Sequence, residues 1–195
     1  MIRILYIFIE VIASSIILIP LMFIFHKVYI QNINKTFMYT IFIFYLLAVF
    51  SATGLPQINN ITFYPSFQLI PFSQIISDRT NSLLNILLFI PLGVLLPLIF
   101  KDVHLKKTVL LGFVFSLSIE LLQILTLRLT DVNDLITNTL GTLIGYSMSK
   151  ICHRKGQNES YDLYLLMIIA FLFWFFIQPW LSSGLWNLIL SMKIL

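Results

Sequence analysis

Charge is what this sequence has least of. Only 10% of its 195 residues are Asp, Glu, Lys or Arg, against about 25% in a soluble domain. With 59% hydrophobic residues, that shortage excludes an ordinary soluble globular domain. A single cysteine, Cys152, excludes an internal disulfide. The histidines, His26, His104 and His153, fall in different connecting stretches, so no Cys/His set has metal-ligand spacing and neither metal nor cofactor is expected. The adjoining Cys152 and His153 lie in a connecting stretch and read as incidental, no other Ser or Cys stands beside a His, and no glycine-rich loop could cradle a phosphate. The sequence therefore leans away from an enzyme and leaves the question open. The net charge of +4 is modest, and the basic residues sit singly or in short clusters beside apolar runs. That is the pattern of membrane topology signals, not of a nucleic-acid surface. The strict apolar–polar alternation of an outer-membrane barrel strand is also missing.

Long apolar runs are what the chain does have. Six reach or approach the roughly 18–20 residues that a helical span needs: 4–25, 37–53, 83–100, 108–126, 134–148 and 163–177. The expected fold is an all-α integral membrane protein, a polytopic bundle of about six transmembrane helices. The first run is too long for the 7–15-residue apolar core of a secretory signal and reads as a retained helix. Lys27, Lys35, Lys101, Lys106, Lys107, Lys150, Arg154 and Lys155, eight of twelve basic residues, lie in the first, third and fifth connections. Cytoplasmic loops are enriched in Lys and Arg, so those connections should face the cytoplasm, and the 54–82 connection and the turn at Arg128 should face outward. In 54–82, Phe63, Tyr64, Phe67 and Phe72 interleave with Pro65 and Pro71. Aromatics favour the membrane–water boundary and prolines break long helices. Both an interfacial loop and a partly re-entrant segment fit that composition.

Polar residues inside the fourth and fifth runs keep helical spacing. At about 100° per residue, Asp131, Asp134, Asn138, Gly141, Thr142 and Gly145 share one face. Gly112, Ser116, Glu120 and Gln123 share another. Ionisable groups in a span are costly unless paired or facing a wet cavity. Arg128 lies in the turn between these helices, and Asn85 enters the third helix from the same outer side. The candidate polar cavity therefore comprises Asn85, Glu120, Gln123, Arg128, Asp131, Asp134 and Asn138. A turn ion pair between Arg128 and Asp131, and hydrogen-bonded packing by Asp134 and Asn138, account for some of these residues equally well. Asp131 also suits a helix N-cap. Gly93, Gly141 and Gly145 are expected to pack helices closely.

These stretches resemble the VanZ-like family of bacterial membrane proteins. The resemblance spans residues 40–150 and includes LIPF (69–72), NILLFIPLG (85–93), SIELLQ (118–123) and RLTDVNDLITNTLGTLIGY (128–146). The last follows the family signature Arg-x-x-Asp-x-x-Asp, then Asn and paired glycines, with every polar position present. The chain divides accordingly into an N-terminal helix and connection at 1–36, a VanZ-like core at 37–150 and a C-terminal connection and helix at 151–195. The family is named for a protein associated with low-level resistance to the glycopeptide teicoplanin. The resemblance thus implies a multi-pass protein of a bacterial plasma membrane. The expected partner is a membrane lipid or lipid-linked wall precursor, bound without catalysis; a homo-oligomer stays open. Two other readings remain: an embedded enzyme acting on a lipid or isoprenoid phosphate, and a small transporter or flippase accessory.

Overall fold

A computed structural model describes residues 2–73, 78–152 and 156–191; His153, Arg154 and Lys155 lie outside them. The described chain is almost wholly helical, with one pair of two-residue strands. Among the described residues, four helical stretches are long and apolar enough to cross a membrane: Ile7–Ile30, Ile33–Thr53, Arg79–Ile99 and Ser160–Leu188. The helices over the fourth and fifth apolar runs, Leu105–Gln123 and Val132–Ser149, are not among these four. They carry the two polar stripes, which lower their hydropathy without preventing helix formation.

The chain forms two compact units. One comprises Met1–Ile61 and Tyr164–Leu195. Here α1 (Ile2–Phe25) runs into a π-helical turn, His26–Ile30, and α2 (Ile33–Thr53) follows. The Asn32 side chain accepts the Lys35 N–H to start α2, and Gly54, at φ 62°, ends it in the left-handed conformation that glycine adopts without strain. Near the C-terminus, α6 (Ser160–Leu172) passes through a π-helical turn, Phe173–Ile177, into α7 (Gln178–Ser191). α1 packs on both α2 and α7. Glu10, buried in α1, accepts a hydrogen bond from Ser51 of α2. Gln178 donates to the Glu10 carbonyl at 2.9 Å and accepts from Ser14 at 2.6 Å. Three helices thereby satisfy one another's polar groups inside an apolar core.

The other unit is Thr62–Leu163. Its elements are β1 (Phe67–Gln68), α3 (Arg79–Ile99), α4 (Leu105–Gln123), β2 (Thr130–Asp131) and α5 (Val132–Ser149). Asp78 starts α3 by accepting the Asn81 N–H at 3.1 Å. α3 contains Pro91 and Pro97. Proline cannot donate to the fourth preceding carbonyl, and membrane helices tolerate this where neighbours satisfy the freed backbone. α3 and α5 form the closest helix pair. A side chain on Gly93 would overlap the Thr142 carbonyl, one on Gly145 the Ile90 carbonyl and one on Gly141 the Ile86 carbonyl. Backbone thus meets backbone over more than one turn, the contact that small residues permit in an apolar medium. α4 lies against the same stretch of α5, with Gly112 facing the Thr142 side chain.

Candidate functional site

At the end of this second unit, the start of α3, the end of α4 and the start of α5 come together. Asp131 caps α5: its Oδ1 accepts the Asn133 backbone N–H at 2.8 Å and the Asn133 side-chain amide at 2.7 Å. Its own backbone N–H donates to Glu120 Oε2 at 2.8 Å. The hydroxyl of Thr130 donates to the Glu120 carbonyl at 3.1 Å. The turn from α4 to α5 is therefore folded onto Glu120, and both carboxylates are nearly sealed, 4% and 3% exposed.

Asp134 stands one turn into α5 and is half-buried. It lies within electrostatic reach of Asp131, Arg128 and Asp78, and it faces the Asn85 amide of α3. Glu120 feels Asp134, Asp131 and the same Arg128 guanidinium. Glu120 and Asp134 thus share the field of one arginine, with the Asp131 carboxylate close to both. Deeper, Asn138 donates to Ser116 Oγ of α4 at 2.9 Å. Gln123 is buried on α4 one turn beyond Glu120. The arrangement brings Asn85, Glu120, Arg128, Asp131 and Asp134 into one cluster. Asn138 and Gln123 flank it, and Gly93, Gly141 and Gly145 lie beyond, in the contact between α3 and α5.

Two buried amide oxygens here, Asn133 Oδ1 and Asn138 Oδ1, have no protein hydrogen-bond partner among the described residues, and Asn85 Nδ2 has none besides the Asp134 carboxylate it faces. Buried polar atoms are nearly always satisfied, so each has capacity left for water or a ligand.

The cluster is roofed by the aromatic connection. Phe67 and Gln68 pair in parallel with Thr130 and Asp131. Tyr64 N–H donates to the Ile124 carbonyl at 3.2 Å and Thr62 N–H to the Leu125 carbonyl at 2.9 Å. Asn133 Nδ2 donates to the Ile70 carbonyl at 3.1 Å. The backbone is pinned while the side chains of Phe63, Tyr64, Phe67, Leu69, Ile70 and Phe72 stay exposed. Phe72 sits at φ 64°, an unusual conformation for a bulky residue that turns the chain sharply beside the cluster.

Sequence spacing alone did not single out Asp78, Asn133 or the Ile70 carbonyl. Asp78 carries a readable signal, an Asp three residues before an Asn at the head of an apolar run, which is N-cap spacing. Asn133 lies off the stripe of Asp131 and Asp134 and is recruited by the cap and the loop. A backbone carbonyl leaves no trace in sequence.

The family model described as VanZ/LLP1 matches residues 36–153. The chain belongs to the VanZ/LLP1 family. Protein VanZ of Enterococcus faecium is 29% identical over 104 residues, which cover 53% of this chain and 64% of that protein. The match therefore takes in less than two thirds of the relative. No solved structure matches. Every residue of the polar cluster, Asp78 included, falls within the VanZ/LLP1 match, as do the three close-packed glycines.

Proposed function

We propose that this VanZ/LLP1 protein crosses a bacterial plasma membrane several times. At its outward end it binds the headgroup of a lipid or lipid-linked wall precursor, without breaking a bond, and thereby alters teicoplanin susceptibility. One observation carries the reading: an exposed aromatic and aliphatic loop is tied by backbone hydrogen bonds to a buried cluster of charges and amides with unused bonding capacity. An amphiphile offers the complement, an apolar tail beside a phosphate and sugars. Arg128 would take the phosphate, because guanidinium matches its oxygens in a fork. Glu120 and Asp134 would orient hydroxyl or amide donors, and the amides of Asn85 and Asn138 would complete the headgroup contacts. Gln123 and Asp131 hold the surrounding frame.

The test is teicoplanin and vancomycin susceptibility in a Gram-positive host at matched membrane levels. Wild type is expected to shift teicoplanin susceptibility, and Glu120→Gln and Asp134→Asn are each expected to abolish the shift. Photocrosslinking to lipid should fall in Arg128→Ala. A teicoplanin shift retained by both carboxylate variants, with crosslinking unchanged in Arg128→Ala, would remove the cluster from the function.

A further inference from the structure

α3, α4 and α5 have a second polar end. α3 runs away from the Glu120 cluster, and its 21 residues span about 30 Å at 1.5 Å per residue, the thickness of a bilayer's hydrocarbon core. At that far end lies a cavity of about 520 Å³. Pro97, Phe100 and Val103 form an apolar wall, and Lys101, His104 and Lys150 carry its basic groups. All come from the second unit.

The surrounding chain is built to hold this opening. Phe100 bridges to Asn158, and Lys101 N–H donates to the Asn158 carbonyl at 2.8 Å. Gly156 N–H donates to the Pro97 carbonyl at 2.9 Å, and a side chain at Gly156 would overlap the Phe100 backbone. The stretch after α5 is thus laced to the end of α3. Lys101 pairs with Glu159 at 2.6 Å, in a half-exposed position, and this partner holds its ammonium above the ordinary lysine range. Lys150 Nζ lies over the Tyr146 ring, 5.5 Å from its centre. Asp102, also on the cavity wall, offsets part of this charge. Lys106 and Lys107 occupy the first turn of α4, which carries no acidic residue. Exposed Leu105, Met148 and Ile151 adjoin the lining residues in sequence.

The geometry points to a binding site for the phosphate of an anionic phospholipid headgroup in this cavity, with Lys101 and Lys150 contacting the phosphate. The apolar wall and the exposed aliphatic neighbours suit an amphiphile; a free phosphate would need neither. This site is independent of the Glu120 cluster. On the charge reading of the loops it faces the cytoplasmic leaflet.

The purified full-length protein would be exposed to vesicles of phosphatidylcholine alone or mixed with phosphatidylglycerol, and retained lipid counted by native mass spectrometry. Phosphatidylglycerol should be retained in preference, and Lys101→Gln and Lys150→Gln should each weaken retention roughly five-fold, as expected for one lysine at an anionic surface. Lys27→Gln, in the other unit, removes the same charge away from the cavity and should leave retention unchanged. The inference is overturned if Lys27→Gln weakens binding as much as Lys150→Gln, which would mean diffuse surface attraction. It is also overturned if inorganic phosphate displaces the lipid from wild type, which would make this a free-phosphate site, or if the lysine variants retain phosphatidylglycerol fully.

Discussion

The Glu120 carboxylate accepts the Asp131 backbone N–H at 2.8 Å in a nearly sealed position. Removing that acceptor leaves a buried donor without a partner, at a cost of roughly 1–3 kcal/mol. Glutamine keeps an oxygen there. Glu120→Ala should therefore melt below Glu120→Gln in detergent, with Glu120→Gln close to wild type; equal midpoints for Ala and Gln would show that the bond does not hold the turn. This separates the structural share of Glu120 from its proposed ligand role, in which both variants fail. Asn138 offers a parallel case, because its amide donates to Ser116 while its oxygen has no protein partner. Ser116→Ala should cost the same order of stability, read by the same melts, and should leave lipid crosslinking intact.

At the scale of elements, the decisive contact is the glycine seam between α3 and α5. A methyl group on Gly93 or Gly145 meets backbone oxygen, which no rotamer change relieves. Gly93→Ala and Gly145→Ala should each destabilise by about 1–3 kcal/mol or more. Gly184 lies inside α7 with nothing within 4 Å of an added methyl. Gly184→Ala should be neutral or slightly stabilising, since alanine is the better helix former. Thermal melts of the three variants check the contrast. Helical spacing showed this stripe of small and polar residues because period alone places Asp131, Asp134, Asn138, Gly141 and Gly145 on one side. What period leaves out is which neighbour that side meets. The structure divides the stripe between two helices, glycines on α3 and Asn138 on α4. The β1–β2 pairing was not legible either, since two-residue strands carry no alternation to read. The start of α3 lies four residues before the apolar run that announces it, because Asp78, Arg79 and Asn81 belong to the cap and first turn rather than to the apolar stretch.

For the molecule as a whole, six helical runs follow from sequence, and among the described residues four helical stretches are long and apolar enough to cross a membrane. α4 and α5 would cross only with their polar faces covered by each other and by α3. That arrangement has a test in the one cysteine. Cys152 is exposed just past α5, and Asn81 is exposed at the opposite end of the same unit. A membrane-impermeant maleimide should label Cys152 in inverted vesicles and not in intact cells. In a Cys152→Ser background, Asn81→Cys should show the reverse, and labelling of both from one side would overturn the proposed crossing. The loop register adds a matter of timing. Phe67 pairs with Thr130, 63 positions later. At 5–20 residues per second a ribosome takes roughly 3–13 s to make that interval. Through that time the aromatic segment has no strand to join, and its unpaired backbone is unwelcome in hydrocarbon. Until Thr130 and Asp131 emerge, the loop has no backbone partner, so the aromatic roof and the Glu120 cluster come together only once the turn between α4 and α5 has been made.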